Sequence, residues 1–354
     1  MKNRGLLATA LFLCLAPFAR AGILPFFNTN AYVPNNDGTL SVIDTPTDTV
    51  IATISGFNHP FCATVSPNGK LLYVCNEDNS VVAVDTTTNT VITHIALPGA
   101  LGFIGNEGAG PVVAFSPLGE RAFVVSSGGG VNSQLFVINT FTNTVITSTS
   151  FGSTFLLAIV AAPLGDRVFI ASTNGVQVVD AYSLATIATV APGHPIFDLA
   201  LTRIGFPLYA SDESGLEGGT SGVLVIDTIA NAVITTVPLP TSSSNPGFVS
   251  GLALTPDNLN LYAEEFFPVA NSSTVTVIST LTNSVETTIT ANGTTLTAIA
   301  PSLDGTQMLA VNSVLSLSVN STVDVISTAD NTITNSITVG FFPISIATQP
   351  PFTL

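Results

Sequence analysis

Four short apolar runs separated by turn-forming clusters recur seven times along this chain, and that repeat leaves few folds open. The clearest copy reads Phe-Cys-Ala-Thr-Val-Ser-Pro-Asn-Gly-Lys (61–70), Leu-Leu-Tyr-Val-Cys-Asn (71–76), Ser-Val-Val-Ala-Val-Asp-Thr (80–86) and Thr-Val-Ile-Thr-His-Ile (90–95). Runs rich in β-branched residues, bounded by Pro-Asn-Gly and Thr-Thr-Asn clusters, are the signature of four antiparallel strands. The residue that marks the second strand falls at Tyr32, Tyr73, Phe123, Phe169, Tyr209, Tyr262 and Leu309, with spacings of 41, 50, 46, 40, 53 and 47. Those periods suit a four-stranded blade with variable loops. The expected fold is all-β: a seven-bladed β-propeller over residues 31–350.

The columns of the repeat say where each strand sits. Third strands such as Val-Val-Ala-Val-Asp-Thr (81–86) and Val-Leu-Val-Ile-Asp-Thr (223–228) are nearly continuous apolar runs, as expected of strands buried on both faces between stacked sheets. Fourth strands alternate, which suits a water-exposed outer edge. In the first strands Cys62, Val112, Ala158, Asp198, Gly251, Ala298 and Ser345 form a column of mostly small residues, as innermost strands crowded around a channel require. Asp198 is its one charge. The recurrent Asp44, Asp85, Asp180 and Asp227 read as turn residues that bond their own backbone.

The chain begins its repeats with a second strand at Ala31 and ends them with a first strand, Pro343 to Gln349. Pairing the two termini hides two sheet edges, so the C-terminal strand is expected to complete the N-terminal blade. The segment 22–30 is read as a linker and 351–354 as a tail.

Residues 1–21 have the form of a signal peptide: Lys2 and Arg4, an apolar stretch from Gly5 to Phe18, then Ala19-Arg20-Ala21. Cleavage near Ala21 gives a secreted or periplasmic protein with no membrane span. The remainder carries four basic residues against 22 acidic, a net charge of 4 − 22 = −18. Four scattered cations cannot neutralise a phosphate backbone, which excludes nucleic acid as a partner. Export also places Cys62 and Cys75 in an oxidising compartment. If Ser66 pairs with Leu71, the two cysteines face each other across a hairpin, within disulfide reach; two buried free thiols are the alternative.

The units Ala31-Tyr32-Val33-Pro34-Asn35, Tyr73-Val74-Cys75-Asn76, Thr39-Leu40-Ser41-Val42-Ile43-Asp44-Thr45 and Ser66-Pro67-Asn68-Gly69 resemble the consensus of the YVTN-repeat β-propellers, exported and surface-layer proteins of bacteria and archaea. The resemblance covers nearly the whole chain beyond the leader. It implies a WD40-like propeller of seven blades and carries no shared catalytic motif.

Within each blade the first-to-second and third-to-fourth turns are short and share one face. The longer connections, including 98–110, 126–133, 211–222, 238–248, 264–273 and 313–320, gather on the other. Loops on a rigid scaffold are the usual place for binding residues, so this long-loop face is the expected docking site. His59, Glu107, His194 and Asp198 are its candidate binding residues at the channel mouth. No cofactor is predicted. The candidate ion site is a divalent metal held by the two histidines with Glu107 or Asp198. Glu77-Asp78, Asp212-Glu213 with Glu217, and Glu264-Glu265 are expected to be solvated loop acids.

No Gly-x-Ser-x-Gly, His-Glu-x-x-His or Gly-x-x-x-x-Gly-Lys motif occurs. The leading expectation is a monomeric, non-enzymatic binding scaffold for a protein or glycan of the cell envelope. A lactonase-type hydrolase with its site at the channel mouth, and a structural component of the envelope or surface layer, are the alternatives.

Overall fold

Each reversal of the chain falls where the sequence supplies a residue able to turn. The computed structural model describes residues 28–98, 112–127, 133–214, 222–239, 247–267, 270–291, 295–314, 316 and 318–350. They form seven four-stranded antiparallel sheets, arranged as the blades of a propeller. The first strands are Ala347–Thr348, Pro60–Val65, Val113–Phe115, Leu156–Ala161, Ile196–Leu201, Phe248–Leu254 and Leu296–Pro301, for blades 1 to 7. They neighbour one another around the axis. Third strands such as Ser80–Asp85 are buried throughout, whereas fourth strands such as Thr90–Ala96 alternate and face solvent.

The ring closes through the termini. Ala347–Thr348 pairs with Asn30–Asn35, with Ala31 opposite Thr348 and Tyr32 opposite Ala347. Asn28 N–H also donates to Gln349 Oε1 at 2.6 Å. Blade 1 is thereby built from both ends of the repeat array.

Two side-chain devices repeat with the blades. The Thr that ends the third-strand motif donates from Oγ1 to a carbonyl in the first-to-second turn of its own blade, as Thr86 does to Gly69 and Thr228 to Gly205. Asp85, Asp180 and Asp227 accept N–H bonds from the residues that follow them, which is the turn role read from the sequence. Between blades, Tyr73 Oη donates to Asn143 Oδ1 at 2.7 Å and Tyr209 Oη to Asn283 Oδ1 at 3.2 Å; Tyr262 bonds Asn331 in the same way. These asparagines adopt positive φ, near +53°, a conformation Asn accepts more readily than most residues. One residue type thus makes the turn and receives the neighbouring blade's tyrosine.

The Ser-Pro-x-Gly turn has a second purpose. Gly205, at φ +82°, faces Pro163 of the preceding blade so closely that a Cβ would stand 3.0 Å from its ring, and Gly305 meets Pro256 at 3.1 Å. The first-to-second turns therefore interlock around the short-turn face. Cys62 and Cys75 pair across the first hairpin of blade 2 and form a disulfide, their Cα atoms 5.0 Å apart.

Candidate functional site: the axial channel and its surroundings

The small residues of the first strands leave an axial cavity of about 390 Å³ to which all seven blades contribute, within the ~300–1,000 Å³ usual for small-molecule sites. Its walls are apolar: Ala63, Val65, Phe115, Val160, Leu199, Ala253, Ile299 and Ile346. Its mouth is formed by Pro67, Pro117, Pro163, Arg203, Asn258 and Pro350. All but Pro350, which follows the last strand, belong to first-to-second turns, so the cavity opens on the short-turn face.

The inner end is polar. Asp198, Ser250, Thr297 and Ser345 line it, from blades 5, 6, 7 and 1. Asp198, Ser250 and Thr297 are brought there by a recurrent irregularity of the first strands, whose pairing shifts register between Ile196 and Leu199, Val249 and Gly251, and Leu296 and Ala298. A bulge of this kind re-aims a side chain and leaves amides to be satisfied otherwise. Ser211 Oγ accepts from the N–H groups of both Phe197 and Asp198, and Ser273 Oγ accepts from Leu296 N–H.

Asp198 is buried, inside the channel rather than on its rim. Oδ1 accepts from Leu199 N–H and Oδ2 from Leu252 N–H of the next blade, both at 2.7 Å. Burial pushes its carboxyl up to about 7 despite these bonds.

Asp198 heads a larger group of interior acids in blades 5 to 7. Asp212, Glu213, Glu264 and Glu265 are buried, so their assignment to solvated loops is corrected. Asp212 closes the strand Leu208–Asp212, and Glu264 and Glu265 lie within Asn260–Phe267, whose pairing runs on to Phe267 opposite Ser272. The hairpin is longer than the turn residues suggested. Glu213 reaches across the blade boundary to accept from Val249 N–H at 2.6 Å. Burial, with the Asp212 and Glu265 carboxylates nearby, pushes it up to about 8. Burial likewise raises Glu265 to about 7 although Thr276 bonds it, and raises Glu264 well above the usual range. Neither oxygen of Glu264 meets a hydrogen-bond donor among the described residues. Glu264 occupies space that a Cβ on Gly251 would enter, 2.9 Å from Oε2. Glu77 and Asp78 are exposed, as expected.

The candidate histidines stay apart in their partners. His59 meets Asn58 and Glu77. His194 Nδ1 lies 2.9 Å from Asp212 Oδ2 and 3.0 Å from Ser214 Oγ. A serine–histidine–aspartate relay needs the carboxylate on one ring nitrogen and the hydroxyl on the other. Here both meet Nδ1, and Ser214 Oγ itself donates to Asp212, so the three do not form a relay. Glu107 and Glu217 lie outside the described residues. Among the described residues no group of three or more His, Cys, Asp or Glu side chains is placed to hold a metal.

The short-turn face carries a feature that its turn chemistry alone does not announce. Leu118, Leu164 and Ile204, at the third position of the first-to-second turns, and Phe141, Tyr182, Ile229 and Leu281, in the third-to-fourth turns, are 68–87% exposed. They form an apolar arc over blades 3 to 6, beside the channel mouth. Exposed apolar patches of this kind mark interaction surfaces. The signal was available: the same turn position is Asn68, Asp257 or Asp304 in blades 2, 6 and 7, and apolar in blades 3 to 5.

No family model and no curated protein matches the chain. Among solved structures it is similar to Kuenenia stuttgartiensis hydrazine synthase, with 20% identity, 85% of this chain and 93% of that chain covered, and a TM-score of 0.69. It is also similar to the dihydro-heme d1 dehydrogenase NirN in complex with DHE, with 13% identity, 92% and 75% covered, and a TM-score of 0.58. At these identities the likeness shows the propeller fold alone. No helix among the described residues is long and apolar enough to cross a membrane.

Proposed function

We propose that this is a non-enzymatic binding propeller, exported and of the YVTN-repeat type, that receives a small apolar ligand in its axial channel from the short-turn face. The observation that carries the reading is the cavity itself: apolar walls from seven blades, a polar inner end, and a mouth beside exposed apolar turn residues. Transfer of an apolar ligand from water into such walls is favourable by roughly 25 cal/mol per Å² buried.

The test is titration with the neutral fluorophore N-phenyl-1-naphthylamine. A single saturable site is expected in the parent protein. It should be lost in Ala161→Phe, which fills the channel from a half-buried wall position. Binding that survives the filled channel would overturn the reading.

A hydrolase is the second reading, and one observation favours it. Asp212 holds His194 by Nδ1, which leaves Nε2 on a ring 45% exposed as a base for water activation. Hydrolysis of a lactone or ester that disappears in His194→Gln would establish it. Docking of an envelope protein or glycan on the long-loop face would use His59 and His194.

A further inference from the structure

The inner end of the channel is built of hydrogen-bond acceptors. Ser250 Oγ donates its proton to Glu264 O at 3.5 Å, and Thr297 Oγ1 donates to Pro343 O at 3.2 Å. What those hydroxyls have left to offer are lone pairs. Asp198 offers only acceptors when ionised, and each of its oxygens keeps one lone pair beyond the backbone N–H it already receives. Ser345 Oγ accepts from Ala63 N–H at 3.3 Å and can accept once more.

The cations of the site stand elsewhere. Arg203 is at the mouth, in the turn beyond the strand that carries Asp198, with its guanidinium on Pro256 O. Behind the inner end stands another acid, Glu264, whose ionisation is made costly by burial and then by the Asp198 carboxylate. Asp324, one blade further on, adds to it while bonded to Ser336 and Asn312. A carboxylate or phosphate ligand would meet the Asp198 carboxylate here, with the Ser345 hydroxyl as its side-chain donor. A divalent metal would find no third side-chain ligand among the described residues. A group with three N–H donors and one positive charge matches both the acceptors and the field.

Resting on the channel reading above, the geometry points to a primary ammonium on an apolar chain as the ligand class, with the ammonium at Asp198, Ser250, Thr297 and Ser345 and the chain along the apolar walls. The ligand enters tail outward through the short-turn face, and its charge replaces the proton that burial otherwise imposes on Asp198. Binding is then linked to proton release.

The experiment is calorimetric titration of the full chain with hexylamine, hexanol and hexanoate, between pH 5 and 8. Hexylamine is expected to bind at least about tenfold more tightly than hexanol at pH 8, the advantage of a charge-assisted bond over a neutral one. The preference should shrink toward pH 5, where Asp198 is protonated, while hexanol affinity stays level. Asp198→Asn should abolish the preference and leave hexanol binding. If that variant does not fold, the pH series on the parent protein decides alone. Equal binding of hexylamine and hexanol, or a preference that persists in Asp198→Asn, would overturn the ammonium site and leave the channel reading standing. No binding of any of the three at a channel that Ala161→Phe can fill would overturn both.

Discussion

At the scale of single residues, the Tyr–Asn bond between blades explains two positions of the repeat together and identifies where the chain departs from it. Blade 4 carries Phe169 in place of the tyrosine, and its partner, Asn231 Oδ1 of blade 5, is buried without a hydrogen bond. Blade 3 has lost both halves of the device: Phe123 stands with Leu184, in one apolar cluster. The paired loss is consistent; the single loss leaves a buried acceptor stranded, at about 1–3 kcal/mol, and Asn89 Oδ1 of blade 2 is stranded too although blade 1 carries Tyr32, whose Oη meets Asn28 instead. Phe169→Tyr should therefore stabilise the protein by about 1 kcal/mol. Denaturant unfolding would check this, and an unchanged or lowered midpoint would show that the tyrosine does not reach Asn231.

At the scale of elements, strand placement was legible because each strand's neighbours are set by local turn chemistry. Ser-Pro-Asn-Gly fixes the register that puts Cys62 opposite Cys75, and the terminal strand could be assigned to blade 1 because a first strand was missing at one end and spare at the other. The interior acids were not legible for the complementary reason. Asp212-Glu213 and Glu264-Glu265 look like turn material by composition, and their burial depends on the adjoining blades, which no local rule reads. The apolar turn tips were legible, but a turn position says nothing of what its side chain faces. Between Cys62 and Cys75 the Cα separation lies within the ~4.4–6.8 Å a disulfide spans. Closing this hairpin restricts the unfolded chain by about 3 kcal/mol in the chain-entropy account. Alkylation of the unreduced, denatured protein followed by peptide mapping should leave both cysteines unmodified; alkylated Cys62 and Cys75 would mean that the bond is absent from the protein as made.

At the scale of the whole molecule, two properties follow from the ring. Its closure depends on a strand held by few residues, so a chain ending at Val339 is expected to lose its cooperative unfolding transition; a truncated protein that melts as the full chain does would refute closure by the terminus. The second property is electrostatic. Asp198 and Glu265 at about 7, Glu213 at about 8 and Glu264, raised by burial, all stand above the ~4 of unfolded carboxyls. Between about pH 4 and 8 the folded state binds more protons than the unfolded one, so stability falls as pH rises. A tenfold loss of acidity on folding corresponds to about 1.4 kcal/mol for one carboxyl, before coupling among the acids is allowed for. Surface acids act oppositely: the Thr87 hydroxyl holds Asp85 below its usual range, and that contribution is lost as pH falls through its lowered pKa. The thermal midpoint should thus be highest near pH 4 to 5 and decline toward pH 8. A midpoint that rises over this range would show that the interior acids are ionised at little cost.

We propose that the working site is the axial channel, entered from the short-turn face. Its most direct test is a crystal structure of the protein soaked with bromohexane, read by anomalous diffraction at the bromine edge. A bromine peak is expected inside the channel, among Phe115, Leu199 and Ile299. A peak on the long-loop face with the channel empty would contradict it.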